Sequence, residues 1–133
     1  MISGKTKADF RARRMMVGLT QQDIADALGV DVRSVKRWER EGFNDPPDEA
    51  WNLIEFHEAE QDRMVGEIAE AFPDNSTANI TIYRTQAEFE TTQALYGRVD
   101  HGSFGTANAS ALEAARLLDA MGCEVRFRYP SVE

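Results

Sequence analysis

Cysteine occurs once in these 133 residues, at Cys123, and histidine twice, at His57 and His101. A lone thiol forms no internal disulfide, and three such residues far apart lack the spacing of a zinc site, so neither metal nor cofactor is expected. No run of about 18 apolar residues exists, the least that a helix needs to cross a bilayer. The opening MISGKTKADFRARR is polar with no apolar stretch behind it, which predicts neither a signal peptide nor a membrane partner, and a cytoplasmic protein. What is present, 42% hydrophobic and 29% charged residues, suits a soluble globular chain of one domain or two very small ones. Cys123 itself, just after Gly122 at the mouth of an apolar strand, reads as a small core residue.

Positive charge is also scarce, the net being −8, but it is unevenly placed. Residues 1–42 hold nine Lys and Arg against six Asp and Glu, a net of +3, which leaves −11 for the other 91 residues. A basic head on an acidic body fits this asymmetry, and so does ordinary solubility.

The most informative stretch lies in that basic segment, LTQQDIADALGVDVRSVKRWEREG, from Leu19 to Gly42. Thr20 offers a capping hydroxyl to a helix whose Ile24, Ala25 and Leu28 recur at three- and four-residue spacing on one face. Gly29 sits where the chain turns, and a left-handed backbone is cheap there only for glycine. Asp31 caps a second helix, whose buried side is Val32 or Val35 with Trp38 and whose other side carries Arg33, Lys36, Arg37 and Arg40. Ala25 and Gly29 also fall where two such helices approach, one crossing a phosphate backbone and the other lying in the major groove.

These residues resemble the helix-turn-helix of the lambda Cro and repressor type, L-T-Q-x-x-[LI]-A-x-x-L-G-V-[ST]-x-x-[ST]-[IV]-x-x-W-E-x-G. Asp31 replaces the usual Ser or Thr cap and keeps the capping oxygen, while one additional residue precedes Gly42. The resemblance implies that Val32, Arg33 and Arg37 face base edges and that Gln21 fastens the first helix to a phosphate. Arg33 or Arg37 then suits a bidentate guanine contact, Val32 a thymine methyl, and Lys36 and Arg40 phosphates. Each arginine equally suits a solvated surface or a phosphate.

Around the motif, an opening helix from about Lys7 to Val17 is expected, with Phe10, Met15 or Met16 and Leu19 near its inner face and Gly18 at its end. The cluster Gly42 to Pro47 predicts a turn and then a long helix from about Asp48 to Phe72, its first half closing the head and its second half leading to a partner. Residues 73–78 read as a linker. Beyond it a module over 79–133 is expected in the order strand, helix, loop, helix, strand. Its first strand spans Asn79 to Arg84, and its first helix runs from the capping box Thr85–Glu88 to about Ala94. The second helix starts at the box Ser110–Glu113 and stops at Gly122, and the last strand is Cys123 to Tyr129. Asp100, His101 and Ser103 share a glycine-rich loop from Gly97 to Gly105, but neighbours in one loop rarely aim at a common atom, and neither catalysis nor phosphate binding is expected there.

The expected fold class is α+β: an all-α helix-turn-helix domain over 1–72, then a small α/β module. Two strands make a sheet with exposed edges, which dimerisation through strand edges or long helices would cover, as would pairing of the two strands with each other. The function expected is a non-enzymatic transcriptional repressor that binds an inverted repeat in double-stranded DNA as a homodimer. The overall order looks like that of anti-CRISPR-associated regulators and YdiL-like proteins, which implies a prokaryotic or phage-encoded protein that represses its own operon. An antitoxin, whose second module binds a toxin while the head regulates the operon, is the alternative.

Overall fold

The computed structural model describes residues 1–95 and 103–130. The elements follow as α1 (Lys7–Met16), α2 (Gln21–Leu28), α3 (Val32–Trp38), α4 (Asp48–Glu70), β1 (Thr77–Thr81), α5 (Gln86–Leu95), α6 (Phe104–Ala120) and β2 (Glu124–Arg128). This is an α+β chain, helical at its N-terminal end, with two strands among helices after it. Two compact units divide it, Met1–Ala59 and Glu60–Glu133, so the division falls inside α4 and residues 73–78 lie within the second unit.

In the first unit the helices start where side-chain oxygens satisfy orphan amides. Thr6 and Asp9 form a reciprocal capping box on α1, Thr20 and Asp23 another on α2, and Asp31 Oδ1 accepts from Arg33 N–H at 2.8 Å to open α3. Their apolar faces, with the start of α4, enclose Phe10, Val17, Leu19, Ile24, Ala25, Val35, Trp38, Ala50, Trp51 and Ile54. Phe10 meets Trp51 edge-on at 5.2 Å and Trp38 at 6.3 Å.

The inner face of α1 differs from the expectation. Met15 and Met16 are exposed, and Arg13 and Arg14 are buried in their place. Each arginine is held by a carboxylate in a two-point grip: Arg13 on Glu58 at 2.9 and 2.6 Å, Arg14 on Glu39 at 2.8 and 3.0 Å. Arg13 also donates to the Gly4 carbonyl and Arg14 to that of Leu19. A guanidinium whose donors are satisfied in this way can be buried where a hydrophobicity count would place a methionine.

In the second unit β1 and β2 pair in parallel, with Thr77 opposite Glu124 and Thr81 opposite Arg128. A parallel pair requires a crossover, and the segment containing α5 and α6 connects the two strands. Ala78 and Ile80 pack with Ala111, Ala115, Leu118 and Cys123, joined by Ile68 and Phe72. Of the second half of α4, Ile68 thus packs within its own unit. Cys123 is a buried core residue, its Sγ 3.4 Å from the Pro73 carbonyl.

The start of α6 is a second correction. Ser103 caps the helix, with its hydroxyl accepting from Thr106 N–H at 3.1 Å, and the expected cap Ser110 lies buried nearly two turns inside. Gly105 obscured the earlier start, because a glycine in the first turn reads as loop. Gly97, Asp100, His101 and Gly102 lie outside the described residues, whereas Ser103 is occupied as a helix cap.

Candidate nucleic-acid interface

The first unit presents α3 on a short, rigid turn. Gly29 closes α2 at φ +66°, ψ +34°, and Val30 N–H returns to the Ala25 carbonyl at 3.0 Å. A Cβ at Gly29 would meet nothing within 4 Å. Glycine is therefore required by the sign of φ and not by a close approach of the helices, while Ala25 is the small residue that is buried. Val35 and Trp38 face the core, and half-buried Val32 packs beside them, leaving only part of its side chain outward.

At its other end α3 stops at Trp38, so Arg40, expected on this helix, stands in the following turn, where its N–H donates to the Arg37 carbonyl at 3.1 Å. Two side chains cause the stop. Glu39 turns inward to Arg14, and the buried Lys7 ammonium donates to the carbonyls of Arg37 at 3.2 Å, Trp38 at 3.1 Å and Asn44 at 2.7 Å. A cation at a helix C-terminus meets the negative end of the helix dipole and its orphan carbonyls together. Lys7 thereby ties α1 to the exit of α3 across 30 residues of sequence. Counting charges placed Lys7, Arg13 and Arg14 among the free cations of a basic head, and only the burial of their stems reveals otherwise.

Five cations of the first unit remain outward without an ion pair among the described residues: Arg11 stands alone on α1, and the other four gather on and after α3. Arg33, Lys36, Arg37 and Arg40 are exposed and make no ion pair among the described residues. Arg37 lies over the Phe43 ring at 5.7 Å, which orients its guanidinium; sequence reasoning missed Phe43, whose signal is an exposed aromatic directly after Gly42. Gln21, half-buried at the start of α2, donates its amide to Glu39 Oε1 at 3.3 Å. In the DNA-free chain that amide belongs to the Arg14–Glu39 pair.

Local charge, not unit charge, defines this face. Over Met1–Ala59 there are nine Lys and Arg against eleven Asp and Glu, a net of −2. Glu39, Glu58 and Asp45 stand against Arg14, Arg13 and Lys7, and Lys5 faces Glu55 at 3.6 Å. Once those pairs are set aside, Arg33, Lys36, Arg37 and Arg40 cluster on and just after α3, with Arg11 apart on α1. Paired against Glu58, the Arg13 guanidinium is held above its ordinary value by that hydrogen bond, with burial opposing.

Two short helices about a glycine turn, the second one cationic outward and pinned at both ends, form a helix-turn-helix. Residues 10–54, about a third of the chain, match the helix-turn-helix family model found in XRE-like regulators. No curated protein matches the chain in sequence. Among the described residues no helix is long and apolar enough to cross a membrane.

Proposed function

We propose that this chain is a sequence-specific transcriptional repressor, not an enzyme, that binds double-stranded DNA as a homodimer and represses its own operon in a prokaryotic or phage setting. The carrying observation is the outward face of α3 and the turn after it: three cations on the helix and Arg40 just beyond, with no carboxylate partner among the described residues, on a helix whose two ends are fixed to the rest of its unit. Arg33 and Arg37 read guanine edges by bidentate contact, Val32 touches a thymine methyl with its exposed part, and Lys36, Arg40 and the Gln21 amide, once released from Glu39, take phosphates. A two-fold pair of such heads reads half-sites about 34–36 Å apart.

The test is titration of the DNA upstream of the chain's own gene, followed by fluorescence anisotropy. Each bidentate contact is worth about 1–3 kcal/mol, so the double variant Arg33→Ala, Arg37→Ala should bind at least about 30-fold more weakly. Salt dependence supplies a second readout, because each neutralised phosphate contributes about −0.9 to the slope of log K against log salt. The four cations on and after α3 alone give a slope of about −4 per head, whereas all nine of the unit would give about −8. Full operator affinity in the double variant overturns the proposal.

A further inference from the structure

The second unit leaves apolar surface uncovered on one side of its sheet. Phe127 is 51% exposed and Tyr129 52%, and Leu112 stands outward on α6. An open groove of about 450 Å³ lies there, lined by Leu112, Ala115, Arg116, Asp119, Val125 and Phe127. Val125 is opposite Ala78 and Phe127 opposite Ile80, so both point to the face that α6 covers, yet Phe127 lines the open groove beside α6 and stays half exposed.

The backbone at that side is open as well. Glu124 N–H donates to the Ser76 carbonyl at 2.9 Å and Ile82 N–H to the Arg128 carbonyl at 3.0 Å. Even-numbered residues of β2 therefore turn their peptide groups toward β1, and by alternation Val125 and Phe127 turn theirs to the outer edge. Among the described residues no strand pairs with that edge. A two-stranded sheet with one open, partly apolar edge is a template for a further strand.

We propose that β2 pairs antiparallel with β2 of a second copy of this chain about a two-fold axis at Arg126, making a four-stranded sheet in which the Phe127 side chains close the two grooves. The strand's own sequence, Glu124-Val125-Arg126-Phe127-Arg128, selects this occupant. About that axis Val125 lies opposite the partner's Phe127 and Glu124 opposite the partner's Arg128, each pair occurring twice. The four outward peptide groups of Val125 and Phe127 meet as hydrogen-bonded pairs. The Arg126 pair on the axis is a like-charge contact, eased by Glu124 of its own chain at 2.9 Å.

Other registers are worse for stated reasons. An axis between residues sets apolar side chains against charged ones and mismatches the peptide groups. At Phe127 the axis brings Arg126 against the partner's Arg128 twice, and at Val125 it needs Cys123 N–H, which already donates to the Leu118 carbonyl at 3.0 Å. The outer edge of β1, Thr77–Thr81, has no charged residue to pair.

This surface rests on the dimeric reading of function, and its test uses the full chain without DNA. Sedimentation equilibrium should give about twice 14.9 kDa. Glu124→Arg alone, and Arg128→Glu alone, should each weaken the dimer at least about tenfold, and the exchange of both should restore it, with circular dichroism unchanged throughout. Residues on the axis lie about 4.5 Å apart at Cα, within disulfide reach, so Arg126→Cys should cross-link under mild oxidation and Arg128→Cys should not. A monomer up to about 100 µM overturns the proposal. So does a dimer indifferent to the charge variants, or equal cross-linking at the two positions. A monomer that still binds its operator removes this surface and the homodimer while sparing DNA binding. A dimer that binds no operator does the reverse.

Discussion

Replacing Lys7 by Met keeps the aliphatic stem and deletes the ammonium, and it should destabilise the first unit more than any exposed-lysine substitution. The magnitude follows from what each carbonyl retains. The Arg37 carbonyl still accepts from Arg40 N–H, whereas those of Trp38 and Asn44 lose the Lys7 ammonium, the Trp38 carbonyl from a buried site and the Asn44 carbonyl from a partly exposed one that water can reach. Leaving a buried acceptor unsatisfied costs about 1–3 kcal/mol, and loss of the cation at the C-terminus of α3 adds about 0.3–1 kcal/mol. Against this, the variant no longer desolvates an ammonium, a relief of up to several kcal/mol in a dry site. Lys7 is 8% exposed and Asp45 stands 3.8 Å from its Nζ at the surface, so the relief falls at the low end and the net loss is about 2–3 kcal/mol.

The assay is selective without any label. Trp38 and Trp51 are the only tryptophans and both belong to the core of the first unit, so urea denaturation followed by their fluorescence reads that unit alone. For a unit of this size the loss corresponds to a fall in Tm of roughly 10–20 °C. Lys5→Met, at a site paired with Glu55 but exposed, is the control and should change stability by less than about 0.5 kcal/mol. If Lys7→Met unfolds within about 0.5 kcal/mol of the parent, the three-carbonyl clamp is not what closes α3.

Gly29→Ala should cost about 1 kcal/mol, because only the left-handed backbone opposes it where a Cβ has open space; Gly29→Asn should cost less, and a loss above about 3 kcal/mol would mean packing matters there. Asp9 is held below the usual carboxylate range by the Thr6 hydroxyl first and the Thr6 N–H second. A depressed folded pKa stabilises above the unfolded value and is lost as pH falls through the folded one, so the excess stability of the parent over Asp9→Asn should shrink below about pH 4, read by the same fluorescence. An excess constant down to pH 2.5, about the lowest practical value, would refute the linkage.

Local signals in this chain were legible because they act within one turn of backbone. Thr20, Gly29, Asp31 and Gly122 each satisfy a requirement set by their nearest neighbours, and the helix-turn-helix follows from them with the spacing of Ile24, Ala25, Val35 and Trp38. Arg13, Arg14 and Lys7 were misread for the opposite reason. Their partners Glu58, Glu39 and the carbonyls at 37, 38 and 44 lie 25 to 45 residues away, and pairing at that distance is invisible to periodicity. Ser103 was missed because its box closes on Thr106, whereas Ser110 with Glu113 imitates the commoner acidic box inside a helix. Parallel pairing of β1 with β2 was open in the sequence, since alternation gives a strand its faces but not its neighbour.

An acidic chain carrying a DNA-reading helix is consistent once charge is counted by accessibility. At physiological salt a charge is felt over about 8 Å, so a phosphate beside α3 responds to Arg33, Lys36, Arg37 and Arg40 rather than to the −8 of the whole chain. The buried arginines contribute differently: Arg14, through Glu39, fixes the carboxylate that also holds Gln21 and ends α3 beside Arg40. Losing Glu39 would therefore free a buried guanidinium, release Gln21 and loosen the exit of α3 together. On the proposed reading, three effects through one carboxylate make Glu39 the position where stability and DNA binding are coupled, whereas Arg33 and Arg37, whose side chains have no partner among the described residues but the Phe43 ring, are exchanged at little cost to the fold.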